Sequence, residues 1–129
     1  MNRRVLLTAS LAALAGCTQA PAGPPQTIVV FFTADSASLD AAAQSSIQQA
    51  AASASASPGA VVHVRGFAAP DTGSAAFNRS LSRTRAHAVA DALAAAGVAP
   101  ARIRMESRGP VPFDLMPIES RRVEIGIGS

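Results

Sequence analysis

Residues 66–89 read GFAAPDTGSAAFNRSLSRTRAHAV, and the reading of this stretch decides the fold. It opens as a Gly- and Pro-punctuated turn carrying one acid, Asp71. It continues as a segment in which Asn78, Arg79, Arg83, Arg85 and His87 stand among alanines and serines. The spacing predicts a helix from about Ser74 to Ala96, with Phe77, Leu81, Ala88 and Leu93 as its apolar stripe and Gly97 as its stop. Such a helix could be a solvated basic face, a nucleic-acid patch, a catalytic cluster or one wall of a site for a small charged ligand.

Composition narrows these choices. The chain has 129 residues, enough for one domain. It has no Trp or Tyr, so its core must be built from Val, Ile, Leu, Ala and five Phe. All eleven basic residues are Arg, and the formal charge is +3. Arg3 and Arg4 lie in a targeting segment, and without them nine basic residues face eight acids. The pI near 11 therefore reflects the fixed charge of Arg, with no Lys, and not an excess of bases. That balance argues against a nucleic-acid partner, which would demand clustered bases in large excess.

The N-terminus, MNRRVLLTASLAALAGC, sets two positive charges before an apolar run from Val5 to Ala15. This is the pattern of a signal peptide, too short for a transmembrane span. The one cysteine, Cys17, follows Leu14-Ala15-Gly16, and Leu-Ala-Gly-Cys resembles a bacterial lipobox. That resemblance implies a signal over 1–16, lipidation at Cys17 and a lipid-anchored chain at the outer membrane. A lone Cys has no intrachain disulfide partner, and two or more acyl chains anchor stably where one does not. Residues 17–26 then read as the acylated Cys and a Pro-rich tether, and 27–129 as the domain.

Outward from the opening stretch, the domain alternates. Thr27–Phe32 is a β-branched and aromatic run expected as a buried strand. Leu39–Ser55 places Leu39, Ala43, Ile47, Ala50 and Ala54 at helical spacing, with Asp35, Ser36 or Ser38 as cap and Pro58-Gly59 as stop. Ala60–Phe67 alternates as a strand, with Val62 and Val64 opposite His63 and Arg65. Arg102–Ser107 is expected as a third strand, a Pro-rich loop spans 109–119, and Arg122–Ile127 closes the chain with Val123, Ile125 and Ile127 on one face. The order β-α-β-α-β-β predicts an α/β (α+β) two-layer sandwich, with two helices on one face of a mixed sheet.

Taken together, the motifs resemble the OmpA-like domain family, which includes the peptidoglycan-associated lipoprotein. The matching residues are Val30-Phe31-Phe32, Asp35-Ser36 and Leu39; Val64-Arg65-Gly66; Gly73-Ser74; Phe77-Asn78; Leu81-Ser82; Arg85-Ala86; Gly97-Val98; and Arg121-Arg122-Val123-Glu124-Ile125. The resemblance implies a binding protein and not an enzyme, with no cofactor. Its ligand would be peptidoglycan, held noncovalently through the diaminopimelate of the stem peptide. That group exposes an ammonium and a carboxylate on one carbon. Such a zwitterion needs an acid for the ammonium and an Arg fork for the carboxylate, and N–H groups at a helix start can assist. The resemblance assigns the fork to Arg85 and the bracing Asn to Asn78. The family acid, three residues after Gly66 and eight before Asn78, falls on Ala69 or Pro70 here because the loop is one residue longer. Asp71 is the only acid of that turn, and Asp35 either caps the first helix or faces the ligand. The apolar Phe67-Ala68-Ala69-Pro70 suggests an alternative: a scaffold that docks another cell-envelope protein.

The remaining polar residues have plainer readings. Arg79 and Arg83, four apart, are expected as solvated charge. His63 and His87 lack metal spacing. Ser82, His87 and Asp91 share one helix at intervals unsuited to a catalytic triad. Arg121 and Arg122 straddle a strand, so one is expected on the helix-covered face with Glu106 or Asp114 as partner.

Overall fold

The computed structural model describes Gly16 and residues 24–128. The expected signal peptide, Cys17 and most of the tether lie outside these residues. In chain order the elements are β1 (Gln26–Phe31), α1 (Ala41–Ala56), β2 (Val62–Ala68), α2 (Ala75–Ala95), β3 (Ile103–Pro110) and β4 (Arg122–Ile127). Short 3-10 turns at Pro100–Arg102 and Pro117–Ser120 precede β3 and β4. No helix among the described residues is long and apolar enough to cross a membrane.

The strands form one mixed sheet in the order β1-β4-β2-β3. β4 runs antiparallel to both of its neighbours, while β2 and β3 are parallel. Period-two alternation explains the core. Val30 pairs with Val123, Ile28 with Ile125, Val64 with Ile125 and Val62 with Ile127, so all of them share one face. The helices cover that face with Ala43, Ile47, Ala50 and Ala54 from α1 and Ala86, Val89 and Leu93 from α2. Burying one large aliphatic such as Ile47 or Leu93 contributes about 1.5–3 kcal/mol. The expected two-layer sandwich, with both helices on one face of a mixed sheet, is thus what the chain adopts.

Several local expectations are corrected. The cap of α1 is Asp40, which accepts from the Ala43 N–H at 2.8 Å, and not Asp35, Ser36 or Ser38. An N-cap sits in the extended region, whereas Asp35 is left-handed at φ 52°. The stripe of α2 is also rotated from the expected one. Phe77 is half exposed, and the buried face is Asn78, Ser82, Arg85, Ala86, Val89, Ala90 and Leu93. Apolar character alone mispredicted it because three of its members are polar groups satisfied by neighbouring loops and strands. Arg102 precedes β3 instead of opening it, and its guanidinium donates to the carbonyls of Ala54, Ser57 and Ala60. It thereby adds a second donor to the Ala54 and Ser57 carbonyls, which also accept the Ser57 and Ala60 N–H groups, and ties β3 to the end of α1.

The helix sits close because the strand beneath it has no side chain at the crossing. A Cβ on Gly66 would stand 2.0 Å from the Ser82 carbonyl oxygen of α2. The same crossing brings the Ser82 hydroxyl to the β3 edge, where it pairs with Ser107 Oγ, donates to the Arg79 carbonyl and accepts from the Gly109 N–H. The substitution Gly66→Ala is therefore expected to lower stability by at least about 3 kcal/mol, since neither backbone can yield. Thermal unfolding of the variant against wild type measures this, and an unchanged melting temperature would contradict the contact.

Candidate ligand-binding site

The C-terminal ends of β1 and β2 and the start of β4 lie at one end of the sheet, where Phe31 pairs with Arg122 and Gly66 with Val123. Three connections converge there: residues 32–40 before α1, 69–74 before α2, and 111–121 before β4. Arg85 reaches up from α2 beneath them. Its side chain is wholly buried, the largest such side chain in the described protein.

Burying a guanidinium without acceptors would be prohibitive. Arg85 donates from Nε to the Ser36 carbonyl at 2.8 Å, from Nη1 to the Phe67 carbonyl at 3.1 Å and from Nη2 to the Thr33 carbonyl at 3.1 Å. Its carbon also lies 5.1 Å from the centre of the Phe32 ring, a cation–π contact. These bonds fasten the loop before α1 to the end of β2. Arg85 belongs to none of the three ion pairs of the described residues. A guanidinium has five N–H bonds, so one on Nη1 and one on Nη2 are left for a carboxylate. Burial and the nearby Arg121 charge push its pKa down to about 10, with Asp35 opposing them. Arg85 therefore stays cationic at neutral pH.

Asp35 is the acid beside this cation. It is exposed, and the Thr72 hydroxyl donates to its Oδ1 at 2.9 Å, across the gap between the two loops. Its Oδ2 has no protein donor among the described residues. Asn78 is buried and donates to the Thr72 carbonyl at 2.7 Å, so the brace expected of it is present and acts through Thr72. Asp71 is turned elsewhere. It pairs with Arg121 at 2.8 Å, and the two side chains are 26% and 18% exposed. The arrangement brings Arg85, Asp35 and Asn78 together and sets Asp71 at the rim, neutralised by Arg121.

The sequence reading missed three features. Thr72 carried no signal beyond its place in a turn. β4 begins at Arg122 as expected, with Arg122 out and Val123 in, but Arg121 lies before the strand and pairs with Asp71, so neither Arg enters the helix-covered face. Arg122 accordingly takes the sheet's open face, stacked 4.2 Å over the Phe67 ring and bonded to Glu124 at 3.1 Å. Neither Arg uses Glu106 or Asp114, and Glu106 instead pairs with Arg108. Phe67 is 9% exposed, Ala68 0% and Ala69 4%, so of the apolar turn that suggested a docking scaffold only Pro70 is exposed. Ser82 is fully buried and His87 exposed, which separates two members of the imagined triad.

The third connection is stiffened by one carboxylate. Glu119 accepts the N–H groups of Asp114, Leu115 and Met116 at 3.0 to 3.2 Å. These bonds, chiefly those from Asp114 and Met116, hold its pKa below the ordinary 4.5.

With the fold and this geometry in view, comparison with known proteins gives the class. The chain belongs to the OmpA family, whose match spans residues 31–114. Among solved structures it is similar to the peptidoglycan-associated lipoprotein of Burkholderia pseudomallei, at 27% identity over 78% of this chain and 89% of that one, with a TM-score of 0.71. The OmpA-like domain of FopA1 from Francisella tularensis shares the fold at 22% identity, covering 79% of this chain and 71% of that one, with a TM-score of 0.68. The periplasmic domain of Helicobacter pylori MotB does so at 22% identity, covering 86% and 76%, with a TM-score of 0.68. No curated protein matches the sequence.

The Glu119 contacts generate a prediction with a definite sign. A carboxylate whose folded pKa is depressed stabilises the fold above its unfolded value, and that stability is lost as pH falls through the folded value. Amide exchange at Leu115 and Met116 is therefore expected to accelerate on acidification below about 4.5, beyond the intrinsic pH effect, and Glu119→Gln should remove much of that pH dependence. Identical exchange profiles in wild type and variant would refute it.

Proposed function

We propose that this chain is a lipid-anchored outer-membrane protein that binds peptidoglycan noncovalently through diaminopimelate, tying the outer membrane to the cell wall. One observation carries the reading: a buried Arg85 with carbonyl partners only, beside an exposed Asp35 that keeps a free carboxylate oxygen. A cation so placed lacks the anion that would compensate its burial. The ligand's carboxylate would take the two remaining N–H bonds of Nη1 and Nη2, and its ammonium would sit against Asp35 Oδ2. Thr72 orients Asp35, and Asn78 holds Thr72. Asp71 would act at the rim, by keeping Arg121 from drawing the ligand's carboxylate away from Arg85. Support for wall binding comes from membership of the OmpA family and from likeness to a peptidoglycan-associated lipoprotein. Support for the anchor comes from the lipobox-like Leu14-Ala15-Gly16-Cys17.

Arg85→Ala would empty a wholly buried position and take a donor from the Ser36, Phe67 and Thr33 carbonyls, so loss of binding in that variant could report unfolding. Asp35 is exposed, and its replacement is the cleaner test. The full chain in detergent is expected to co-sediment with sacculi containing diaminopimelate and not with walls carrying lysine in its place. Asp35→Asn should weaken binding by about 1.5–3 kcal/mol, roughly ten- to a hundredfold, at unchanged melting temperature. Equal retention on both walls would overturn the ligand assignment, and full retention by Asp35→Asn would overturn the acid's role. For the anchor, labelled palmitate is expected to enter the wild-type chain in cells and not Cys17→Ser; label in both would rule out that cysteine.

A further inference from the structure

A second surface lies along the side of the domain, away from the loop cluster. Arg79, Arg83, His87 and Asp91 recur every four residues on α2 and form one exposed stripe. The stripe runs beside β3, an edge strand of the sheet. Between helix and strand is a cleft of about 250 Å³, lined by Arg83, Ala86, His87, Met105, Glu106 and Ser107. Its floor is fixed, because Ser107 is hydrogen-bonded to the buried Ser82. Its rim is apolar at Met105, which is 46% exposed.

An edge strand turns alternate N–H and C=O groups outward, ready to pair with an added strand. A helix lying beside such an edge can read every second side chain of that strand, because those side chains point toward the helix layer. Here the readers are cationic. Arg83 lines the cleft, Arg79 lies one turn before it on α2, Glu106 and Asp91 are the acids beside them, and Arg104 and Arg108 alternate onto the sheet's other face along the same edge. Glu106 is engaged by Arg108 at 2.8 Å. The opposite edge, β1, is flanked by α1, a helix without a charged residue. The asymmetry selects the β3 edge.

We propose that β3 and the Arg83–His87 face of α2 form a groove for an extended acidic segment of a partner protein, which adds as a fifth strand and sets carboxylates against the α2 stripe. A second copy of the chain is disfavoured, since an antiparallel β3–β3 pair centred on Glu106 would oppose Arg104 with Arg108 of the copy and Glu106 with itself. The groove does not involve Arg85 or Asp35, so wall and partner can be held at once.

The test uses the full chain in detergent and a fluorescein-labelled peptide, Thr-Glu-Val-Glu-Val-Glu-Thr, read by anisotropy. Saturable binding is expected, weakened about tenfold or more by Arg83→Glu and strongly by added salt. Methylating alternate backbone nitrogens of the peptide should abolish binding, because strand pairing needs those N–H groups. Three results would each overturn the proposal: no saturation up to about 1 mM peptide, equal binding of the N-methylated peptide, or self-association through β3 that the peptide does not displace.

Discussion

A buried guanidinium organises this molecule. Arg85 lies under the loops at one end of the sheet, holds three backbone carbonyls from two chain segments and faces the Phe32 ring. Without it, the connection after β1 and the end of β2 would have no common partner. The loops could close over an aliphatic residue instead, but they would then lose both their hydrogen-bond donor and the positive charge of the proposed site. The same side chain therefore supports the fold and provides the positive half of the proposed site. Its pKa, lowered to about 10, shows the cost of that position and also that the cost is insufficient to neutralise it at pH 7.

The acids around this centre divide between two roles. Asp71 is consumed by Arg121 at the rim, while Asp35 keeps an unoccupied oxygen next to the buried cation. The extra residue in the turn after Gly66 is accommodated by burying Phe67, Ala68 and Ala69 and by stacking Arg122 on Phe67. The altered turn is therefore a different packing of the same loop cluster and presents no new apolar patch. Conformational constraint supports this placement: Asp35 sits at φ 52°, a region that Asp tolerates better than most residues, with Thr72 holding its carboxylate.

Packing at one crossing sets the distances on which both surfaces depend. Gly66 lets α2 approach β2 closely, and Ser82 then bonds to the β3 edge. This contact places Arg85 beneath the loops and, two residues earlier on the outer side, Arg83 beside β3. The polar residues in the α2 interface have assigned partners in neighbouring segments, so they specify the helix's rotation as well as stabilise it.

Much of the architecture was legible in the sequence, because it rests on local periodicity. Val123, Ile125 and Ile127 at period two, Ala43, Ile47, Ala50 and Ala54 at helical spacing, and the stops at Pro58-Gly59 and Gly97 report backbone geometry directly. Arg85 and Asn78 could be picked out by motif. Their burial, the rotation of the α2 stripe, the pairing of Asp71 with Arg121 and the freedom of Asp35 could not. Each of these depends on which loop groups arrive within hydrogen-bonding distance after residues tens of positions apart are folded together, and no local pattern encodes that. The sequence by itself determined the order of the strands and helices, the inward face of β4 and that of α1. Only the tertiary structure decided which charges are spent on each other and which remain for a ligand.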